Sequence, residues 1–258
     1  MIKWRTAYNN RVNHDATQKI LAVNRQFYQT FASQFSNTRM RLQPGVRSIL
    51  ERLTSSESIL DLGCGNGYLA CQVAERFPDI SYTGLDNSPD LLALAQRACA
   101  GQHNITFYIA DLSTVNWDLI LLAAPDIDST TQFDTILAFA VLHHLPGEAL
   151  RVNVLKKVRK LLKPGGLFIH SEWQFLKNPR LHSRIQPWET IGLSEEDIDP
   201  GDYLLDWRHG GQGLRYIHHF SEDELEEIAL ATEFIILETF YADGEGGNLG
   251  LYQIWQPA

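Results

Sequence analysis

Between residues 58 and 171, short apolar runs alternate with stretches whose apolar positions recur at helical spacing. Residues 58–61 form an apolar run that ends in an acid and a glycine-rich turn, and residues 68–77 follow with helical spacing up to Pro78. Residues 80–85 read as a second strand ending at Asp86. Ser88 then caps a helix through residue 100, with Pro89 at its first position. Residues 104–109 read as a third strand closing at Asp111 and residues 133–139 as a fourth. Residues 148–162 form an amphipathic helix stopped by Lys163-Pro164-Gly165-Gly166, and residues 167–171 a fifth strand. Strands joined by helix-length crossovers predict an α/β fold, a mainly parallel sheet with helices on both faces.

Three regions break this rhythm. Residues 1–50 read as two helices, with Phe27, Phe31 and Phe35 spaced by four on a core-facing side. Residues 173–220 read as irregular, rich in Trp, His and Gly. Residues 222–231 read as a helix, and residues 233–241 and 249–256 as two directly connected strands, hence an antiparallel pair at the sheet edge. The expected organisation is one domain: a helical lid over 1–56, a core over 57–172, a substrate-side insertion over 173–220, and a helix with a strand pair over 221–258.

Composition narrows the class. With 258 residues, 44% apolar residues and three cysteines, the chain suits one globular domain and excludes a disordered or disulfide-scaffold protein. No apolar stretch reaches about 18 residues, so no membrane span is expected. The first fifteen residues lack the apolar core of a secretory signal. Three cysteines read as unpaired fit a reducing compartment, so a cytoplasmic protein is expected.

The net charge of −9 conceals an uneven distribution. Residues 1–50 hold eight basic side chains against Asp15 alone, and residues 151–184 hold nine against Glu172 alone. Residues 185–258 hold sixteen acids against Arg208 and Arg215. An anionic partner such as a nucleic acid is therefore compatible with the sequence if the two basic segments meet at one surface. If they do not, a small acceptor is favoured.

The strongest chemical signal is Asp61-Leu62-Gly63-Cys64-Gly65-Asn66-Gly67. Its glycines permit a tight turn and close approach of a ligand to the backbone, and the helix that follows offers unpaired N–H groups. An acid directly before the turn repels a pyrophosphate but attracts an ammonium or sulfonium, so a zwitterionic or cationic ligand is expected rather than a dinucleotide. Asp86, 25 residues beyond Asp61, stands where a carboxylate accepts the hydroxyls of a ribose. Asp111 can receive an adenine amino group. Cys64 reads as a small residue that fits the turn.

These residues resemble those of the class I S-adenosylmethionine-dependent methyltransferases, over about residues 57–172. Residues 61–67 resemble the family's methionine-binding loop, Asp86 its ribose acid, and Asp111 its adenine-contacting acid. Phe133-Asp134-Thr135-Ile136-Leu137-Ala138-Phe139-Ala140-Val141-Leu142-His143-His144-Leu145 resembles the motif beside the methyl group, and Leu161-Leu162-Lys163-Pro164-Gly165-Gly166 the turn before the fifth strand. The resemblance implies a Rossmann-like sheet with an antiparallel C-terminal edge strand and S-adenosyl-L-methionine as cofactor. It implies a binding set of Asp61, Gly63, Cys64, Gly65, Asn66, Asp86, Asn87, Ser88, Ala110, Asp111, Leu112, Ala138 and Phe139.

The flanks are similar to a narrower group, the eukaryotic tRNA wobble-uridine carboxymethyl methyltransferases. Phe35-Ser36-Asn37-Thr38-Arg39 matches a Phe-Ser-x-Thr-Arg run, and residues 201–207 and 214–225 look like two further segments. The chain departs from them at Asp206, where a Pro is usual, and at Tyr216-Ile217-His218, where Tyr-Tyr-His is usual. This similarity implies a tRNA partner whose acceptor is a uridine carboxylate, and a small zinc-binding activator protein.

Methyl transfer needs the acceptor held at near-attack distance away from water. A carboxylate is already ionised at neutral pH, its reference pKa being near 4. Arg39 and Arg215 are candidates to pair with it through their donor forks, or else to tether the lid to acids such as Asp202. An amine or phenol acceptor favours a base, for which His143, His144 and His218 are available. The adjacent pairs His143-His144 and His218-His219 diverge in regular structure, so no metal site is expected. Trp173, Trp188, Trp207 and Tyr203 can stack a base, but packing of the cap explains them better. The expected activity is methyl transfer to a tRNA carboxylate. The alternatives are O- or N-methylation of a small molecule and a non-catalytic donor-binding module.

Overall fold

The computed structural model describes residues 12–38, 40–55, 57–122 and 131–258. Ahead of the sheet lie α1 (His14–Thr38), kinked at Phe31, and α2 (Pro44–Leu50). The alternating part consists of β1 (Ser58–Leu62), α3 (Tyr68–Arg76), β2 (Ser81–Asp86), α4 (Pro89–Ala98) and β3 (Ile105–Ile109). It continues through α5 (Leu119–Leu122), β4 (Phe133–Phe139), α6 (Glu148–Leu161) and β5 (Leu162–Trp173). An insertion holds α7 (Pro179–His182), β6 (Ile185–Gln186), β7 (Asp202–Trp207) and β8 (Gly213–His218). The chain closes with α8 (Glu222–Ala231), β9 (Phe234–Ala242) and β10 (Gly250–Pro257).

The main sheet runs β3-β2-β1-β4-β5-β10-β9. β1, β2, β3, β4 and β5 are parallel, and β10 is antiparallel to both β5 and β9. The expected Rossmann-like architecture and antiparallel C-terminal pair are both present. From β1 the chain builds outward to β2 and β3, then returns to β4 on the other side. This reversal opens a cleft at the carboxyl ends of β1 and β4, where such sheets bind ligands.

Strand residues alternate between two cores. Leu60, Leu62, Ile136 and Trp255 pack with Val154, Leu155, Leu225 and Ile228 of α6 and α8. Ile59, Leu137, Ile169 and Ile254 pack with Ile49, Leu50, Ala70 and Val73 of α2 and α3. Burial of a strand on both faces explains its near-continuous apolar run. Phe27 and Phe31 are buried as expected, while the side chain of Phe35 lies outside the described residues. No helix among the described residues is long and apolar enough to cross a membrane.

Two expectations are corrected. Residues 173–220 are not irregular: β6, β7 and β8 form a second, antiparallel sheet. Its polar positions Asp202, Arg215 and His218 are buried, and inward-facing polar residues erase the period-two signal. Nor are all three cysteines unpaired. Cys71 on α3 and Cys99 at the end of α4 form a disulfide, leaving Cys64 free. The cysteines thus give no argument for a reducing compartment.

Closing a loop across 28 residues restricts the unfolded chain and stabilises the fold by about 3–4 kcal/mol in the chain-entropy model. Cys71→Ser with Cys99→Ser should therefore lower Tm by about 10 °C. Thermal unfolding of a wild type shown by thiol titration to carry one free thiol checks this, and equal Tm values would contradict it.

Candidate functional site

Asp61, the penultimate residue of β1, is only 3% exposed, and the chain turns sharply after Leu62. The backbone N–H groups of Gly63 and Cys64 donate to the Leu85 carbonyl at 2.7 and 2.9 Å, fastening the turn to the end of β2. Gly63 sits at φ +74°, and a Cβ there would meet Val141 Cγ2 at 2.6 Å. Gly65, at φ +58°, has open space where its Cβ would stand, with nothing within 4 Å. The first glycine allows a close protein contact, and the second leaves room above the turn.

The Asp61 carboxylate accepts the Tyr82 hydroxyl. Burial pushes its pKa up to about 7, against the lowering effect of that hydrogen bond, and the nearby Asp86 charge adds to the rise. Asp86 accepts the backbone N–H groups of Gly65 at 2.9 Å and Ser88 at 2.8 Å, so one carboxylate joins both turns. Burial raises its pKa and these N–H groups counteract the rise. Asp111, after β3, accepts Ser113 N–H at 2.9 Å and the Ser113 hydroxyl at 2.6 Å. Its other oxygen lies 3.6 Å from Arg25 of α1. Asn66 of the glycine turn donates to the Ser36 hydroxyl at 2.9 Å, a second tie between α1 and the strand ends.

These groups border a cavity of about 250 Å³ at the carboxyl ends of β1, β2, β3 and β4. Of the expected binding set, Asp61, Gly63, Cys64, Gly65, Asn66, Asp86, Asn87, Ala110, Asp111, Leu112 and Phe139 line it. Ser88 lies beside it as the buried cap of α4, its hydroxyl accepting Leu91 N–H at 3.3 Å, and Ala138 is fully buried in the core. Burial holds the Cys64 thiol well above its usual pKa, so it is not a ready nucleophile.

The cavity combines an enclosed acid, an open glycine turn and two further carboxylates at successive strand ends. Its donor set fits a zwitterionic sulfonium nucleoside such as S-adenosylmethionine. The space over Gly65 suits a ligand that lies against the backbone.

Of the residues expected on the acceptor side, His144 lines the cavity, and His143, His218 and Arg215 lie elsewhere. His143 is buried behind the cavity, its Nδ1 3.0 Å from Glu172 Oε2. His218 is buried between Asp202, 2.7 Å from Nδ1, and Glu224, 2.8 Å from Nε2. Burial and the Arg151 charge oppose its protonation, but hydrogen bonds to the two carboxylates outweigh them and raise its pKa. The Arg215 guanidinium is also buried, 4.9 Å from the Trp173 ring centre and 5.3 Å from that of Phe27. None of the three lines the cavity, because each is drawn inward by partners on other elements: Glu172 and Trp173 of β5 and Glu224 of α8. Arg39 lies outside the described residues.

Instead, α1 presents Leu21, Asn24, Arg25 and Tyr28 to the cavity, and Arg41 and His144 complete that side. The α1 residues recur at helical spacing on one face. That stripe is a signal the sequence holds, but the aromatic stripe beside it dominates the pattern.

Residues 60–168 match the model of a methyltransferase domain. A protein of Encephalitozoon cuniculi named as a methyltransferase is 32% identical over 83% of this chain and 87% of its own length. The tRNA (carboxymethyluridine(34)-5-O)-methyltransferase of Arabidopsis thaliana is 30% identical over 80% of this chain. The alignment spans only 45% of that plant protein. Among solved structures, a SAM-dependent methyltransferase of Methanosarcina mazei superposes with TM-score 0.60 at 24% identity, covering 84% of this chain and 98% of that one.

Proposed function

Since the chain belongs to the S-adenosylmethionine-dependent methyltransferases, we propose that it methylates a carboxylate on a modified tRNA uridine. The observation that carries this reading is Arg41. It is exposed at the cavity and forms no ion pair with another described residue, so it offers its charge to an anionic acceptor. The similarity to the plant enzyme supplies the uridine.

In this reading Asp61 holds the donor's ammonium, Asp86 the ribose hydroxyls and Asp111 the adenine amino group. The turn from Gly63 to Gly67 lies against the methionine portion. When bound, the donor supplies a methyl group made electrophilic by its sulfonium. The chain's own part is positioning: α1, tied down through Asn66 and Asp111, covers the cavity and excludes water. An acceptor carboxylate is ionised at neutral pH and needs no base.

Labelled donor incubated with bulk tRNA should give RNA-linked label that is released by mild base, as an ester is. Transfer only to a small metabolite would reject the RNA acceptor. The same assay with the isolated chain measures whether the activator implied by the narrower similarity is required.

A small acceptor is a second reading, favoured by where the second basic segment lies. Lys163 pairs with Asp134 at 2.8 Å at the amino end of the sheet, away from the cavity. Lys157 pairs with Asp118, and Arg159 with Glu233 at 3.1 Å. Arg151 is buried. These four members of the second basic segment therefore do not join the first at the mouth. An RNA acceptor should show a KM that climbs steeply with salt, and a small acceptor should not.

The elevated Asp61 pKa sets the pH dependence of donor binding. A cation requires the ionised form, so affinity should rise by up to about tenfold per unit as pH climbs toward 7, then level off. Calorimetry with S-adenosylhomocysteine reads this, because it keeps the ammonium. Asp61→Asn should flatten the curve and bind more weakly at pH 8. A raised folded pKa also means that the stability protonated Asp61 contributes is full below about pH 4 and lost as pH rises through about 7. A wild-type affinity that is independent of pH would contradict the assignment.

A further inference from the structure

Tyr28 and His144 meet at the cavity, where the phenol oxygen lies 2.8 Å from His144 Nε2. The other ring nitrogen, Nδ1, lies 3.1 Å from the Tyr216 carbonyl oxygen. A carbonyl only accepts, so Nδ1 carries the hydrogen of the neutral imidazole and Nε2 is left as an acceptor. Tyr28 must then donate its single hydrogen to Nε2. Toward any further group, the phenol can act only as an acceptor.

Both ends of the pair are fixed from outside it. Asn24, on the same face of α1 as Tyr28, accepts Tyr216 N–H at 2.8 Å and donates to the Tyr216 carbonyl at 3.3 Å. The strand that sets the His144 tautomer is thus bound to the helix that carries Tyr28. This arrangement conflicts with the acceptor proposed above, because lone pairs on the phenol repel a carboxylate. One proton resolves the conflict. With a hydrogen on Nε2 as well, His144 donates to Tyr28 and the phenol hydrogen turns to the carboxylate.

We propose that Tyr28 and His144 are positioning residues for the acceptor, and that the pair binds a carboxylate by taking up one proton from solvent. The inference rests on the carboxylate reading and adds the group that recognises it. His144 becomes an imidazolium with both nitrogens donating, Nδ1 to the Tyr216 carbonyl and Nε2 to Tyr28. The phenol donates to one carboxylate oxygen while the other is methylated. Esterification removes the acceptor's negative charge, and the proton returns to solvent. A neutral N–H or O–H acceptor would instead meet the pair as it stands and bind without uptake.

Among the described residues, the charges around the pair include Arg25 and Arg41 at the cavity, Arg215 beside Tyr216 on β8, and Asp61, Asp86 and Asp111 on the donor side. Behind it lies His143, its ring centre 4.4 Å from that of His144 and its Nδ1 held by buried Glu172. Those carboxylates favour an imidazolium and the arginines oppose it. The incoming carboxylate tips the balance.

Calorimetry tests this on the full chain saturated with S-adenosylhomocysteine and titrated with 5-carboxymethyluridine at pH 7.5. Two buffers of different ionisation enthalpy give the proton count. Wild type should take up about one proton per nucleoside. Tyr28→Phe should take up almost none and bind the nucleoside about tenfold more weakly, with donor-product affinity kept within about twofold. Nucleoside binding without uptake, or uptake that survives in Tyr28→Phe, overturns the inference and leaves the carboxylate reading intact. An equal loss of donor-product affinity also overturns it, since Tyr28 would then be a general wall residue.

Failure of both nucleoside binding and tRNA methylation removes the reading and the inference together. The pair is also checked without an acceptor. Nitrogen-15 shifts of His144 in the free protein should show hydrogen on Nδ1 and none on Nε2, and the opposite tautomer overturns the proposal.

Discussion

Gly65→Val should yield a folded protein that binds S-adenosylhomocysteine at least about 100-fold more weakly, a loss of about 2.7 kcal/mol. Two effects act in the same direction. At φ +58° a β-branched residue is strained, and relief of that strain pulls the turn away from its present shape. If the turn holds, the new side chain stands in space that no protein atom occupies within 4 Å of the Cβ position, space assigned to the donor. The same absence of neighbours protects the fold. Gly63→Val is the useful contrast, since its Cβ would collide with Val141 Cγ2 at 2.6 Å and should cost stability as well as binding. Calorimetry and thermal unfolding on both variants separate the two cases. Affinity of Gly65→Val within about tenfold of wild type would place the donor away from the turn.

The glycine turn and the acids at the cavity were legible because their signals are local. An acid at a strand end, glycines with positive φ and a capped helix each leave a mark within a few residues. Asp61, Asp86 and Asp111 accordingly stand at the cavity where the sequence placed them. The acceptor side depends on depth and on contacts between distant segments. His143, Arg215 and His218 have residue types suited to catalysis, yet each is held inside by partners contributed elsewhere: Glu172, Trp173 and Glu224. The second basic segment failed for the same reason. Counting its charges could not show that Arg151 points into the core or that Lys163 lies at the far end of the sheet. Likewise, the Cys71–Cys99 pair follows from the packing of α3 against α4, with 5.4 Å between the Cα atoms, and not from any spacing rule.

Arg151→Ala should be the most damaging substitution away from the cavity, lowering stability by about 3–5 kcal/mol and Tm by roughly 10–15 °C. Although it belongs to a basic segment, Arg151 is 1% exposed. Its guanidinium donates to the Leu145 carbonyl at 3.1 Å and lies 3.7 Å from Asp199 and 3.6 Å from Glu224, with the Phe220 ring centre 5.4 Å away. It therefore joins α6 to α8 and to the segment leading into β7. Burial already raises the pKa values of Asp199 and Glu172; the Arg151 charge is the first restraint on Asp199 and, after the His143 hydrogen bond, the second on Glu172. Without it they rise further. Groups whose folded pKa exceeds the unfolded value contribute stability at low pH and lose it as pH rises, so the deficit against wild type should grow as pH rises. Arg151→Met separates charge from volume. Restoring the packing but not the cation, it should recover less than half of the loss at pH 8 and a larger share at pH 5.5, because lower pH favours the neutral acids. Full recovery at both pH values would show that the site needs bulk alone. Donor affinity below the melting range should survive in both variants, because Asp61 and Asp86 are held by Tyr82, Gly65 and Ser88 and by nothing that Arg151 touches.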